Sequence, residues 1–407
     1  MDDIKLAKKM RRELDDEPVL HYVGRLAPSP TGMMHIGHAQ TFYVAMQRAV
    51  AHQNVYEKQN KLIQNGVPIC GPRLSPARLI FRVEDLDIGR CKEHYLVDII
   101  QDLTWFGISW DEGPGSRFEQ LDGLLWDMSR CKESVSRVGN DKPPVTRSLE
   151  SFYQSRRGMI YEAALDLLSK YGYVYACKYS RRQIEAELRR QNPAHIETSP
   201  SDVGPQSAPN EGDYDPIFPV ALRPSDLTSP RGVAVHDGAD VASEKESSKV
   251  VSTNWRFRVP DDGKPVCFED SRCGSCAFTP LVHFGDFLVF SKQGYAAYEM
   301  AVVIDDALMG VTEVVRGEDL LVSTARQILL RRALRDCCRQ ERLAGREPAI
   351  FSAALIEAEP RYFHCPLMRD SEGKRMSKRR GSETLRSLRE RGMTPEQIVG
   401  EFFEKAL

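Results

Sequence analysis

The sequence predicts an α/β fold with a parallel sheet, and two observations carry that prediction. Near the N-terminus a strand, a glycine-containing loop, a helix and a second strand follow in the order of a βαβ unit. In the C-terminal half, regular alternation returns at Trp255–Val259 (WRFRV), and Asp286–Phe290, Ala301–Ile304 and Val311–Val315 read as three more strands.

The elements take these places in order. His21–Ala27 (HYVGRLA) reads as the first strand and Pro28–Gly32 as a turn-rich loop. Ile36–Val50 reads as a helix, with Ala39, Phe42, Ala45, Met46 and Ala49 along one side. A polar stretch, His52–Arg78, precedes the strand Leu79–Val83 (LIFRV), and His94–Phe106 resumes a helical period. Asp111–Arg147, rich in Gly, Ser and charge, reads as in part a surface excursion, and Ser151–Tyr171 as a helix. Gln191–Val250 is dominated by Pro, Ser, Asp, Glu and Gly and reads as an irregular insertion rather than core. Leu320–Leu334 reads as a helix with Arg326, Arg331, Arg332 and Arg335 giving it a basic side. Pro395–Phe403 is the last helix, with Thr394 as its N-cap and Pro395 at the first position, where a missing N–H costs nothing.

Composition bounds the function classes. A chain of 407 residues with 41% hydrophobic and 28% charged content reads as an ordinary globular protein with room for more than one domain. The formal charge of −2 gives no global basic signal, so any nucleic-acid contact must come from local patches. The opening MDDIKLAKKMRRELDDEP lacks the apolar run of a signal peptide, and no stretch approaches the roughly 18 apolar residues of a membrane span. Ten scattered cysteines read as reduced thiols, and a cytoplasmic protein is expected.

Two blocks carry the chemistry. Pro28–His38 (PSPTGMMHIGH) puts His35 and His38 behind a Pro/Gly-rich loop at the start of a helix. There the imidazoles could bond phosphate oxygens where the macrodipole favours negative charge, and Gly32 and Gly37 would let a nucleotide approach the backbone. Lys374–Arg379 (KRMSKR) gathers Lys374, Arg375, Lys378 and Arg379 in a loop between Gly373 and Gly381. Such a loop can neutralise charge building on a leaving pyrophosphate. Alone, the first block could be a pair of exposed histidines and the second a solvated charge run. Together they look like an ATP site split across the two ends of one fold.

Those blocks, read as HIGH and MSKR, resemble the two signatures of class I aminoacyl-tRNA synthetases. Five further segments are similar to the glutamyl type: Arg25–Gly32 (RLAPSPTG), Arg82–Asp87 (RVEDLD), Trp105–Pro114 (WFGISWDEGP), Tyr298–Leu320 (YEMAVVIDDALMGVTEVVRGEDL) and Ser323–Gln327 (STARQ). The matches run from about Val23 to Val399. The resemblance implies a class I, Rossmann-like parallel sheet with an inserted, smaller α+β acceptor-binding domain. A tail would occupy residues 1–20, the first half of the nucleotide-binding domain 21–172, and the insertion 173–284, including the irregular 191–250. The second half, 285–407, would hold the lysine loop and short C-terminal helices.

The same resemblance implies the site. His35, His38 and Lys378 would be catalytic, and ATP would contact Pro28, Ser29, Gly32, His35, Gly37, His38, Met376, Ser377 and Lys378. Glutamate would contact Arg25, Leu26, Ala27, Pro28, Ser29, Glu84, Tyr298 and Arg316. Arg25 would pair with one carboxylate, and Arg316 would hold the other bidentately, as a planar guanidinium can. Glu84 would accept the ammonium and Tyr298 would offer a phenol hydrogen bond. Asp305, Asp306, Glu318 and Asp319 are read as ordering the loop that holds Arg316.

After the lysine loop only Arg380–Leu407 remains, enough for a helix or two, whereas full-length glutamyl ligases carry a helical anticodon-binding region there. In this the chain resembles the glutamyl-queuosine tRNA(Asp) synthetases, a truncated paralogous family. The implied activity is activation of glutamate with ATP and magnesium, then transfer to the queuosine base of tRNA(Asp), by a monomer with no membrane partner. The basic helix near Arg326–Arg335 and the pair Arg379–Arg380 would contact phosphates. Intact HIGH and MSKR keep a truncated glutamate–tRNA ligase charging a 3′ end as the alternative, with a non-tRNA acceptor of the adenylate behind it. Many members bind zinc through a C-x-C pair with a later tyrosine and cysteine. Here Tyr179 stands at the second cysteine position after Cys177, and no YxxxC follows. Cys267, Cys273 and Cys276, with His283 as the one candidate fourth ligand, read as reduced thiols near a turn rather than a zinc site.

Overall fold

The computed structural model describes residues 19–67, 69, 71–116, 149–191, 217–224, 253–346, 358–368 and 383–403. In chain order these form β1 (Leu20–Leu26), α1 (Ile36–Gln64), β2 (Leu74–Phe81), α2 (Glu93–Trp105), α3 (Gly158–Lys170), β3 (Val174–Cys177), α4 (Arg181–Gln191) and β4 (Asn254–Phe257). There follow β5 (Val266–Asp270), β6 (Gly274–Phe278), β7 (Phe287–Phe290), α5 (Tyr298–Leu308), β8 (Glu313–Gly317), α6 (Leu321–Leu343), β9 (Arg361–Cys365), α7 (Leu385–Glu390) and α8 (Pro395–Ile398).

The α/β expectation holds. β1 and β2 run parallel, with Val23 opposite Arg78 and Leu26 opposite Phe81. β8 and β9 are also parallel and pair Arg316 with His364, while β5 joins β9 and carries β6 antiparallel, giving the order β6-β5-β9-β8. β1 lies against β8: Thr312 donates its N–H to the Val23 carbonyl at 2.9 Å, and its hydroxyl accepts the Val23 N–H at 2.9 Å. Tyr22–Leu26 and Glu313–Arg316 are buried on both faces, the mark of central parallel strands. β3, β4 and β7 make a separate antiparallel sheet, and α4 packs beside it through Ile184 against Tyr175 and Cys177.

Two cores flank the parallel strands. One packs α3, α5 and α6 around Tyr161, Ile304 and Leu334. The other holds α1 and α2 against the C-terminal segment through Phe42, Leu103, Phe106, Ile398 and Phe403. Thr394 caps α8 in a capping box with Gln397, and Pro395 opens the helix as expected. The C-terminal helices thereby return to the first βα unit. Ile36 donates its N–H to the Glu383 carbonyl at 3.1 Å, and Leu385 donates to Met34 at 3.1 Å.

Several expectations need correction. α1 continues through the polar stretch to Gln64, because its glutamines serve the backbone of β2 and the loop before it. Gln59 accepts from Leu74 N–H at 2.8 Å and donates to the Pro72 carbonyl at 3.0 Å, and Gln53 accepts from Ala77 N–H at 3.0 Å. Ala301–Ile304 is not a strand but the middle of α5. Residues 299–307 are all buried, so the helix has no solvent-facing side, and its apolar middle reads like a strand. α3 starts only at Gly158, since the residues before it form two 3₁₀ turns. Within the Pro- and Ser-rich insertion, residues 217–224 dock on the antiparallel sheet: Phe218 is buried against Tyr175, and Arg223 grips Asp286 at 2.6 and 2.8 Å. No helix among the described residues is long and apolar enough to cross a membrane.

Candidate active site

α1 begins where β1 ends and its loop turns back, at the C-terminal edge of the parallel strands. His35 is the residue before its first turn, with extended backbone, and the His35 and His38 rings lie 6.3 Å apart between centroids. The preceding loop is pinned by backbone bonds, Glu84 N–H to the Pro28 carbonyl and Lys92 N–H to the Pro30 carbonyl, each at 2.9 Å. A Cβ on Gly32 would meet nothing within 4 Å, and one on Gly37 would touch only the Met368 sulfur at 4.0 Å. Both glycines therefore border open space rather than packed neighbours. That space is a cavity of about 1010 Å³, lined among others by Ser29, His35, His38, Glu84, Tyr298 and Arg316.

One wall is a buried charge network. Arg82 is fully buried and reaches Asp306 at 2.5 Å with one terminal nitrogen and Glu84 at 3.0 Å with the other. Arg25, also buried, donates to the Val315 carbonyl at 2.8 Å and lies 3.6 Å from Asp306. Burial works against the Arg82 charge, but Asp306, Glu84 and Asp305 outweigh it and hold its pKa well above the ordinary value. Burial lowers the pKa of Arg25, with Asp306 opposing, and raises that of Glu84, with Arg82 and Arg25 opposing. Glu84 is thus a carboxylate whose charge is under-compensated, and a further cation beside it would be welcome. Burial also pushes the Tyr298 phenol up to about 12, although this residue opens 39% of its surface at the cleft.

Beside this network stands Arg316, at the end of β8, next to the Val315 carbonyl that Arg25 holds. Its Nε donates to His364 Nε2 at 3.3 Å, Nη1 to Gln327 Oε1 at 2.9 Å and Nη2 to the Thr324 hydroxyl at 2.6 Å. Gln327 is held in turn by Glu299 at 2.8 Å. Three of the five guanidinium N–H groups are therefore committed, leaving one on each terminal nitrogen.

Of the residues expected at the site, Arg25, Ala27, Pro28, Ser29, Gly32, His35, Gly37, His38, Glu84, Tyr298 and Arg316 all line the one cavity. Leu26 does not. Its side chain is fully buried in the core beneath, and its carbonyl is taken by the Arg82 N–H at 2.8 Å. Met376, Ser377, Lys378 and Arg379–Arg380 lie outside the described residues. Asp306 serves Arg25 and Arg82 rather than the Arg316 loop, and Asp305 binds Gln154, Arg157 and Tyr161 at 2.7–2.8 Å. Glu318 does order that loop, pairing with Arg272 and accepting the Leu367 N–H.

The basic side of α6 is largely spent inside the protein. Arg326 lies 3.6 Å from Glu299, Arg331 is buried and donates to the Ala358 carbonyl, and Arg332 pairs with Glu359 at 3.3 Å. The cysteine cluster is a β-hairpin. Cys267 pairs with Ala277 and Phe268 with Cys276, so Cys267 and Cys276 project from opposite faces and cannot converge on one ion. His283 is occupied as acceptor of the Thr279 N–H at 2.8 Å. Sequence reasoning missed Arg82, Asp270, Glu299, Thr324, Gln327 and His364. Thr324 and Gln327 lie in the STARQ segment, but nothing local marks His364.

Three comparisons bear on this arrangement. The family model for the catalytic domain of class I tRNA synthetases (E and Q) matches residues 235–343. A glutamyl-Q tRNA(Asp) synthetase of Symbiobacterium thermophilum is 32% identical over 377 residues, covering 93% of this chain and 84% of the relative. Another, from Nitratidesulfovibrio vulgaris, is 29% identical with the same coverage. Glutamate–tRNA ligase 1 of Methylococcus capsulatus is 28% identical, but the chain spans only 57% of it. The crystal structure of a glutamate tRNA ligase from Elizabethkingia meningosepticum shares the fold, with a TM-score of 0.53 at 21% identity over 89% of this chain and 53% of that one. The chain belongs to the glutamyl-Q tRNA(Asp) synthetase family, within the class I tRNA synthetases of the glutamate and glutamine type.

Proposed function

We propose that the protein activates glutamate with ATP and passes the glutamyl group to the queuosine base of tRNA(Asp). The observation that carries the first half is charge matching. Glutamate brings two carboxylates and one ammonium, and the cavity presents Arg25, Arg316 and the under-compensated Glu84. The α-carboxylate oxygen attacks the α-phosphorus of ATP. The bond from that phosphorus to the bridging oxygen breaks, and pyrophosphate leaves. His35 and His38, at the start of a helix of 29 residues, stand where its macrodipole favours the phosphates. Lys378 is assigned to the charge on the departing pyrophosphate. A tRNA hydroxyl then attacks the acyl carbon and AMP leaves. Positioning and charge stabilisation supply the rate.

Magnesium enters on the ATP phosphates as part of that substrate. Among the described residues no three His, Cys, Asp or Glu are grouped to hold a metal of the protein's own. The reading belongs to a cytoplasmic protein, where ATP and tRNA meet.

The queuosine acceptor is supported by relatives of that name aligned over 84% of their own length. The second reading, charging the 3′ end of tRNA(Glu), is supported by the similar ligases and the intact HIGH and MSKR signatures. Transfer of labelled glutamate to queuosine-containing tRNA(Asp) and to tRNA(Glu) separates them. Label that needs queuosine and stays with the anticodon-loop fragment after ribonuclease digestion is expected. Label released with the 3′-terminal adenosine of tRNA(Glu) would establish the ligase. ATP–pyrophosphate exchange with neither RNA labelled would move the adenylate to another acceptor.

A further inference from the structure

β8, β9 and β5 lie side by side and contribute Arg316, His364 and Asp270 to a single row. Arg316 and His364 are register partners, and Asp270 pairs with Tyr362, two residues before His364. His364 is wholly buried and does not line the cleft. Its Nδ1 lies 2.6 Å from Asp270 Oδ2, and its Nε2 lies 3.3 Å from Arg316 Nε and 2.9 Å from the Thr324 hydroxyl.

The chemistry of the neighbours leaves one protonation state. A guanidinium only donates, so Nε2 must offer its lone pair to Arg316. An ionised carboxylate only accepts, so the ring proton sits on Nδ1. In that state the Thr324 hydroxyl, which accepts from Arg316 Nη2, turns its one proton to His364 Nε2 rather than to the Leu320 carbonyl 3.1 Å away. Burial lowers the pKa of His364 despite the pull of Asp270. The Asp270 carboxyl, raised by burial, is nonetheless held well below its usual range by His364 and the N–H groups of Cys273 and Arg272. A neutral ring in one tautomer thus links a buried anion to the arginine at the cleft.

We propose that His364, held in its Nδ1–H tautomer by Asp270, is a positioning residue that sets the plane of the Arg316 guanidinium for a substrate carboxylate. This rests on the reading of Arg316 as a carboxylate ligand. Thr324 and Gln327 hold the two terminal nitrogens, and His364 holds Nε, the atom about which the plane would otherwise turn. Asp270 and its neighbour Arg272, which reaches the His364 carbonyl and Glu318, both come from the β5–β6 hairpin. The hairpin therefore orients the amino-acid site without touching the substrate.

The test compares His364→Asn with His364→Gln in the full chain. Asparagine reaches the Nδ1 position and keeps a donor for Asp270. Glutamine reaches the Nε2 position and keeps an acceptor for Arg316. In ATP–pyrophosphate exchange, His364→Asn is expected to raise the glutamate KM roughly tenfold, the loss of one hydrogen bond to a charged group, with the ATP KM unchanged. His364→Gln is expected to stay near wild type even where its thermal midpoint falls as far. Equal KM effects that follow thermal stability, or no KM effect in either, would overturn the proposal. Arg316→Ala is the control. An unchanged glutamate KM there removes the reading of Arg316, whereas a large effect beside a silent His364→Asn removes only the positioning role. Should both His364 variants fail to fold, imidazole ¹⁵N spectra of the wild-type protein decide. A ring protonated at Nδ1 only is expected near neutral pH, and a proton on Nε2 would overturn the proposal.

Discussion

Asp306→Asn is the sharpest probe of the charge network under the site. Asp306 is buried, lies 2.5 Å from Arg82 and 3.6 Å from Arg25, and both guanidinium groups are themselves buried. Removing its charge leaves Glu84 as the one carboxylate still paired with Arg82 among the described residues. Breaking a buried pair by deleting one partner costs about 3–5 kcal/mol, and the amide keeps an acceptor for Arg82, so about 3 kcal/mol is expected. In urea unfolding followed by tryptophan fluorescence, that is a midpoint drop of about 1 M at an m-value of about 3 kcal/mol/M. The pH dependence adds a second reading. Burial raises the Asp306 pKa, but Arg82 and Arg25 outweigh it and hold it below its ordinary value. Its stabilising contribution is therefore complete above the unfolded-state value of about 3.9 and is lost as pH falls through the lower folded value. The deficit of the variant should be constant from neutral pH down to about pH 4 and shrink below it. A loss under about 1 kcal/mol, the worth of a solvent-exposed pair, would refute the picture of a desolvated network.

Three further outcomes follow from the same geometry. Gly37→Ala should raise the ATP KM while leaving thermal stability equal or higher, because its Cβ meets only Met368 at 4.0 Å and alanine favours a helix by up to about 1 kcal/mol; an unchanged ATP KM would move the nucleotide elsewhere. Gly113→Ala should lower stability by more than the roughly 1–3 kcal/mol of backbone strain alone, because φ is +102° and the new Cβ would sit 2.2 Å from the Phe81 carbonyl oxygen; a wild-type urea midpoint would contradict this. Lys378→Ala should slow pyrophosphate exchange by about 10²–10³ with little change in the glutamate KM, the loss of one electrostatic stabiliser. Normal exchange would take Lys378 out of the mechanism.

The parts of this protein legible in its sequence are those written locally. The βαβ opening, the HIGH turn with its glycines, and the capped Thr394–Pro395 start depend on neighbours within a few residues, and each was readable. So were Arg25, Glu84, Tyr298 and Arg316, because they stand in recognisable segments, and the fold draws all four to one cavity. What the tertiary structure alone decided has partners distant in the chain. α5 reads as an apolar run because it is buried all round, and the second half of α1 stays helical through glutamine contacts to β2 and the loop before it. Phe218 looked like part of a polar insertion until Tyr175 covered it. His364 carries no local mark. Its role comes from strands 48 residues from Arg316 and 94 from Asp270, made neighbours by parallel pairing. Hydrophobic period and capping are read along the chain, whereas register across a parallel sheet is set by the whole core, and it is that register which puts a carboxylate, an imidazole and a guanidinium in one line.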